Sequence, residues 1–275
     1  MTKFMRVLSL SCLVLVISSF NVSKTVAQQD WKLFWSDEFN GVKGSSVDPK
    51  IWKHDLGGGG WGNNELEFYT NKTKNVYQDG TGFLVIKAIK ETIKDGCWYG
   101  DCDYTSGRIL TKGTLERQYG RFEARMRVPT DRGMWAAFWM LGANIGTLNW
   151  PTCGEIDIME NNGRDPKNAQ GTIHGPGYSG GKGIGAPYSS EVNLSDGFHV
   201  YALEWEPEVI RWYVDGNLFQ TRTPKDLPEG AKWVFDHNFF IILNLAVGGN
   251  YPGDPDAKTI FPQSMKVDYV RVYAR

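Results

Sequence analysis

Apolar side chains recur at every second position along much of this chain, in short runs broken by Gly, Pro, Asn and Asp. In RFEARMRV (121–128), Phe122, Ala124, Met126 and Val128 alternate with Arg121, Glu123, Arg125 and Arg127. FFIILNLAV (239–247) sets Ile241, Leu243 and Leu245 on one face and Ile242, Asn244 and Ala246 on the other. GFLVIKAI, VIRWYVDG and VDYVRVYAR follow the same rule. A period of two belongs to strands, whereas the apolar face of a helix repeats near every 3.6 residues. Helix signals are nearly absent. Many short strands with turn residues between them predict an all-β fold, a sandwich or jelly roll of two antiparallel sheets. The runs extend from near residue 31 to the carboxyl end without a linker, so one domain is expected over residues 28–275.

The amino terminus is different. Lys3 and Arg6 precede an apolar stretch from Val7 to Phe20, and Thr25 and Ala27 supply small residues before Gln28. The stretch is short for a membrane span and sits at the start of the chain, which predicts a secretory signal peptide over residues 1–27. Its removal leaves 27 basic against 31 acidic side chains, a net charge of −4. With no basic block to meet a phosphate backbone, nucleic acid is a poor partner and an uncharged substrate suits the balance better. Cys97 and Cys102 bracket the loop CWYGDC and are candidates for a disulfide outside the cell, although spacing alone leaves the geometry open. Cys153 is then expected to be a buried free thiol, and three cysteines without a paired CxxC carry no zinc signature.

The segment GEIDIMENNG (154–163) breaks the strand rule in an informative way. Glu155, Asp157 and Glu160 fall within six residues, interleaved with Ile156, Ile158 and Met159. Regular alternation puts Glu155 and Asp157 on one face but drives Glu160 to the other, among the isoleucines. An unpaired buried carboxylate is costly. One extra residue at Ile158–Met159, a β-bulge, restores the parity and turns all three acids to one face. Acids so close raise one another's pKa, which gives a protonated acid beside an ionised one, the equipment of a glycoside hydrolase. A divalent-cation site is the other reading, but such ligands usually come from loops rather than one strand.

Other features fit a sugar substrate. Aromatic residues make up 13% of the chain, with 11 tryptophans, and indole rings stack on the flat apolar faces of sugars. In MWAAFWML (134–141), Trp135, Ala137 and Trp139 share a face opposite Met134, Ala136, Phe138 and Met140. From the residues alone, the two rings fit a core as well as a cleft floor. The loop GGGGWGNNE (57–65) lacks the strand and helix that a nucleotide site requires, GPGYSGGKGIG (175–185) has Pro176 where a phosphate loop has its first glycine, and both are expected as surface loops at a cleft rim.

WSDEFNG (35–41), GWGNNELEFYT (60–70), TSGRILTKG (105–113), YGRFEARMRVP (119–129), MWAAFWMLG (134–142), the bulged E-x-D-x-x-E at 155–160, LNLAVGGNYPG (243–253) and VDYVRVY (267–273) together resemble glycoside hydrolase family 16, specifically its laminarinase-like endo-β-1,3-glucanases. The resemblance covers nearly the whole mature chain and implies a β-jelly roll with a concave substrate cleft. It implies retaining double displacement, with Glu155 as nucleophile, Glu160 as general acid and base, and Asp157 hydrogen-bonded to Glu155. Trp135 and Trp139 would then face the sugar, with Asn63, Arg108 and His174 as further substrate-binding positions. Ala136 stands where the commoner family text has Pro. The resemblance requires no cofactor for catalysis. Some relatives hold a structural calcium ion, and the matching positions here are Glu38, Gly80 and Asp268. A secreted monomer acting on β-1,3-glucan, without a membrane span, is expected. The alternatives are a non-catalytic β-glucan-binding protein on the same fold, or a hydrolase or transglycosylase of mixed-linkage glucan or algal galactan.

Overall fold

Two packed sheets carry the period-two pattern into three dimensions. The computed structural model describes residues 31–275; the signal-peptide expectation for residues 1–27 lies outside them. One sheet has ten strands and the other eight. Among the described residues, every pairing between strands is antiparallel except one, Glu67–Tyr69 beside Gly100–Ser106. The helical content among the described residues is three short 3-10 turns, which agrees with the scarcity of helix signals. None of these is long and apolar enough to cross a membrane.

The core lies between the sheets. Phe122, Ala124 and Met126 face it from Gly120–Arg127, and Met134, Ala136, Phe138 and Met140 face it from Met134–Gly142. Ile241, Leu243 and Leu245 of Phe239–Val247 complete the same layer. Full burial of each of the larger side chains among these contributes roughly 1.5–3 kcal/mol, so together these alternating positions make the sandwich. Phe239–Val247 is buried along its whole length. Its opposite face, with Phe240 and Ile242, joins Leu110, Leu141 and Cys153 in a second, smaller apolar cluster.

Alternation fails in one predicted strand. VDYVRVYAR does not bury every second residue: Val267, Val270 and Val272 are buried, because the register shifts between Val267 and Tyr269. The bulge leaves Asp268 without a cross-strand partner in that pairing and re-aims the valines to the core.

The eight-stranded sheet positions the acids. Its order runs Ile184–Ser189, Asn168–His174, Glu155–Asn162, Met134–Gly142, Phe239–Val247, Arg108–Leu110 and Lys53–His54, with Glu116–Arg117 also paired to Phe239–Val247. Glu155–Asn162 therefore lies between Asn168–His174 and Met134–Gly142. Cys97 and Cys102 are disulfide-bonded, and Cys153 is a buried free thiol.

Candidate active site

The register across Met134–Gly142 shows how the acid strand is built. Leu141 pairs with Glu155, Trp139 with Asp157, Ala137 with Glu160 and Trp135 with Asn162. Facing the core, Met140 pairs with Ile156 and Phe138 with Met159. The shift falls between Phe138 and Trp139, so Ile158 is the additional residue of a bulge. The partner strand on the other side has the same irregularity, between Asp157 and Glu160. All three acids consequently share a face with Trp135 and Trp139, and the isoleucines and Met159 are buried behind them.

That face is recessed. Ala137 and Asn244 are each 5% exposed and Asp157 3%, although they point away from the sandwich core. Burial is the main reason all three acids are held far above their ordinary values: Glu155, Asp157 and Glu160 are each pushed up to about 8. The charge of Asp157 raises both glutamates further, and the charge of His174 lowers them. A recess that resists three negative charges keeps protons on carboxyl groups at neutral pH.

Neighbouring donors distinguish the two glutamates. Trp150 donates its indole N–H to Glu155 Oε2 at 2.9 Å, and His174 Nε2 lies 3.6 Å from Glu155 Oε1. Glu160 receives the Trp135 indole N–H at 3.1 Å. Asp157 and Glu155 share a neighbour: His174 Nε2 is 3.1 Å from Asp157 Oδ2. The cause is register, since His174 pairs directly with Glu155 across the sheet. Trp212 fixes the acid strand from beneath by donating to the Asp157 carbonyl at 2.8 Å.

A second wall of the recess follows from Asn244. Its Oδ1 accepts the Trp139 indole N–H at 2.7 Å, and its Nδ2 donates to the Tyr69 hydroxyl at 3.1 Å. Tyr69 donates to Glu65 Oε2 at 3.2 Å, and Asn63 Nδ2 to Glu65 Oε1 at 3.3 Å. Arg108 lies opposite Asn244 across the sheet. Its guanidinium lies 4.7 Å from the Trp61 ring and 4.8 Å from the Trp139 ring, and pairs with Asp55 at 2.9 Å. Trp61 holds a positive φ of 48°, unfavourable for a bulky side chain, and its ring also packs 5.2 Å from Tyr69. Asn63, Arg108, Trp139, Trp135 and His174 thus all join the network around the acids. Trp61, Tyr69, Trp150, Asn244 and Tyr251, whose ring is 5.3 Å from Trp135, were not singled out by the sequence. Trp61, Tyr69 and Tyr251 lie within the quoted segments and Asn244 has a strand face there, whereas Trp150 lies in none of them.

The expected calcium positions do not fit an ion with these partners. Both Glu38 oxygens are taken by Arg271 at 2.9 Å, and Asp268 pairs with Arg125 at 2.5 Å. Gly80 has a positive φ of 80° and packs against Lys43. Two guanidinium groups beside these carboxylates oppose a divalent cation by like charge. Among the described residues, the group of metal-capable side chains close enough to share an ion is Glu155, Asp157 and His174, with ligand atoms within 4.8 Å of one another. Those are the residues of the recess itself.

Comparison with known proteins places this geometry in a family. Residues 62–271 match Glycosyl hydrolases family 16. A β-glucanase of Rhodothermus marinus is 43% identical over 88% of this chain and 85% of its own length. A glucan endo-1,3-β-glucosidase of Cryptopygus antarcticus is 39% identical over 88% of this chain and 91% of its own. Among solved structures, the laminarinase catalytic domain of Thermotoga maritima superposes with a TM-score of 0.84 at 49% identity, covering 90% of this chain and 99% of that one.

Proposed function

The chain belongs to glycosyl hydrolase family 16, and on that premise we propose that it is an endo-β-1,3-glucanase working by retaining double displacement at Glu155 and Glu160. The observation that carries this reading is the bulge at Ile158, which puts both glutamates and Asp157 on one recessed face with Trp135 and Trp139. The β-glucanase and laminarinase relatives support β-1,3-glucan as the substrate.

In the first half-reaction a carboxylate oxygen of Glu155 attacks the anomeric carbon. The glycosidic C–O bond breaks as Glu160 passes its proton to the leaving oxygen, and a glycosyl-enzyme ester remains. In the second, Glu160, now ionised, takes a proton from water. The water oxygen attacks the same carbon from the opposite face, and Glu155 leaves as carboxylate. Two inversions give net retention. Burial and the charge of Asp157 push both glutamates up to about 8, so the pair keeps a proton at neutral pH, and Glu160 is the member that carries it. The donors around Glu155 favour its ionised form: Trp150 lies on one oxygen and His174 near the other. Asp157 holds His174 against the nucleophile. No step calls on a cofactor.

Trp135 and Trp139 provide flat apolar surfaces for glucosyl rings, and Asn63 and Arg108 provide donors for hydroxyl groups. Export is part of the same reading, and the Cys97–Cys102 bond supports it because disulfides persist in oxidising compartments. The direct test is release of reducing ends from laminarin by the purified protein, with Glu155→Gln and Glu160→Gln alongside. The wild type is expected to be active, and loss of the acid–base group alone costs about 10²–10⁴-fold. Binding of laminarin without release of reducing ends would replace this reading with the glucan-binding one.

A further inference from the structure

Three loops meet beyond the end of the recess: the glycine-rich segment 57–66, the disulfide-closed turn 97–102 and the segment 248–254. They surround an open pocket of ≈ 540 Å³ lined by Asn64, Leu66, Trp98, Asn250 and Asp254 among others. The pocket adjoins the site already described. The Asn250 amide donates to the Asn63 carbonyl at 2.8 Å, and the next residue, Tyr251, packs 5.3 Å from Trp135, the donor to Glu160.

Trp98 is the unusual member. It is 53% exposed and yet tightly held. Its indole N–H donates to the Glu65 carbonyl at 2.9 Å, and its amide to the Gly58 carbonyl at 2.9 Å. Tyr99 packs edge-on to it at 5.3 Å and anchors the turn by donating to the Leu66 carbonyl at 2.7 Å. The glycine-rich sequence makes room for this arrangement. A Cβ on Gly58 would fall 2.5 Å from Cys97 Sγ, and one on Gly60 2.9 Å from Trp98 Cδ1. A large aromatic surface left in solvent but fixed in position loses little conformational freedom when a ligand covers it. Beside it, Asn64 Nδ2 donates to Asn250 Oδ1 at 3.0 Å, which leaves the Asn64 oxygen and the second Asn250 amide group for other partners.

We propose that this pocket is an additional glucan subsite, in which Trp98 stacks on a glucosyl ring of the same substrate chain several units from the scissile bond, and Asn64, Asn250 and Asp254 meet its hydroxyl groups. The inference rests on the glucanase reading for the identity of the occupant. The fixed exposed indole, the polar side chains beside it and the continuity with the Asn63 wall argue for a neutral, hydroxyl-rich ligand.

The test is kcat/KM on a ladder of β-1,3-linked glucose oligosaccharides of increasing length, and on laminarin, for the wild type, Trp98→Ala, Trp98→Phe and Asn64→Ala. Trp98→Ala is expected to lower kcat/KM about 2- to 10-fold on the long substrates, with no change on the shortest one cleaved and a smaller loss in Trp98→Phe. An equal loss at every length would overturn the proposal, because Trp98 would then act only as a prop for the 57–66 loop; no loss at any length would overturn it too. A wild type that cleaves none of the ladder would refute the glucanase reading instead. Laminarin affinity electrophoresis decides the subsite independently: weaker retardation of Trp98→Ala supports it, and unchanged retardation of both alanine variants refutes it.

Discussion

The indole N–H of Trp150 and the carboxylate of Glu155 are 2.9 Å apart, a hydrogen bond between an exposed loop and a half-buried acid only five residues away. This bond favours the ionised form of Glu155 against burial and the charge of Asp157. Trp150→Phe keeps an aromatic ring and removes the donor. The acid limb of the pH profile of kcat/KM is therefore expected to move to higher pH, with a loss of about tenfold at pH 5 and a smaller one at pH 8. A profile of unchanged shape would show that the bond does not act on the nucleophile.

Arg108 lies between the rings of Trp61 and Trp139 and pairs with Asp55. A planar guanidinium serves all three contacts, whereas a lysine ammonium cannot stack in the same way. Arg108→Lys is expected to raise KM on laminarin about 3- to 10-fold with kcat nearly retained. Steady-state kinetics separate this from a fall in kcat, which would place Arg108 nearer the chemistry.

Asn244 joins two walls of the recess, accepting from Trp139 and donating to Tyr69. Asn244→Ala leaves a buried indole N–H and a buried hydroxyl short of partners, at a cost of about 1–3 kcal/mol. A Tm lower by roughly 2–4 °C per kcal/mol is expected, together with a higher KM. Tyr69→Phe breaks the second link and also removes the donor to Glu65, so its Tm should fall as well.

Crowded carboxyl groups have a consequence for stability. Each acid is raised from an ordinary value near 4 up to about 8. Below pH 4 the folded and unfolded chains both hold these protons. As pH rises, the unfolded chain releases them first, so the folded chain binds more protons and stability falls between about pH 4 and pH 8. Glu160→Gln removes one such group. Its Tm is expected to exceed that of the wild type by more at pH 8 than at pH 5, by several degrees at roughly 2–4 °C per kcal/mol. Equal differences at the two pH values would contradict the account.

The acid strand was legible because charge and parity conflict there: Glu160 cannot join Ile156 and Ile158 in the core, and one extra residue resolves the conflict. The two tryptophans of Met134–Gly142 were legible as a shared face, although the residues alone could not choose between core and cleft. Asn244 was placed on the correct face, but its link to Trp139 spans 105 positions and its link to Tyr69 spans 175. Such contacts depend on which strands become neighbours, and local periodicity does not specify that. The same limit hid the Arg271–Glu38 pair, which spans 233 positions and occupies the carboxylate expected at a calcium ion. The bulge at Asp268 went unseen because VDYVRVYAR satisfies regular alternation as well as the shifted register does.

The assignment of Glu155 as nucleophile and Glu160 as acid and base is tested most directly by azide rescue on an aryl β-glucoside of laminari-oligosaccharide with a good leaving group. In Glu155→Ala, azide takes the place of the missing carboxylate and attacks once, so the product is the α-glycosyl azide. In Glu160→Ala, the glycosyl-enzyme on Glu155 still forms and azide attacks it second, so the product is the β-glycosyl azide. Nuclear magnetic resonance of the two products distinguishes them. The reverse pairing of variant and anomer would exchange the two roles, and turnover by either variant at the wild-type rate without azide would remove that glutamate from the mechanism.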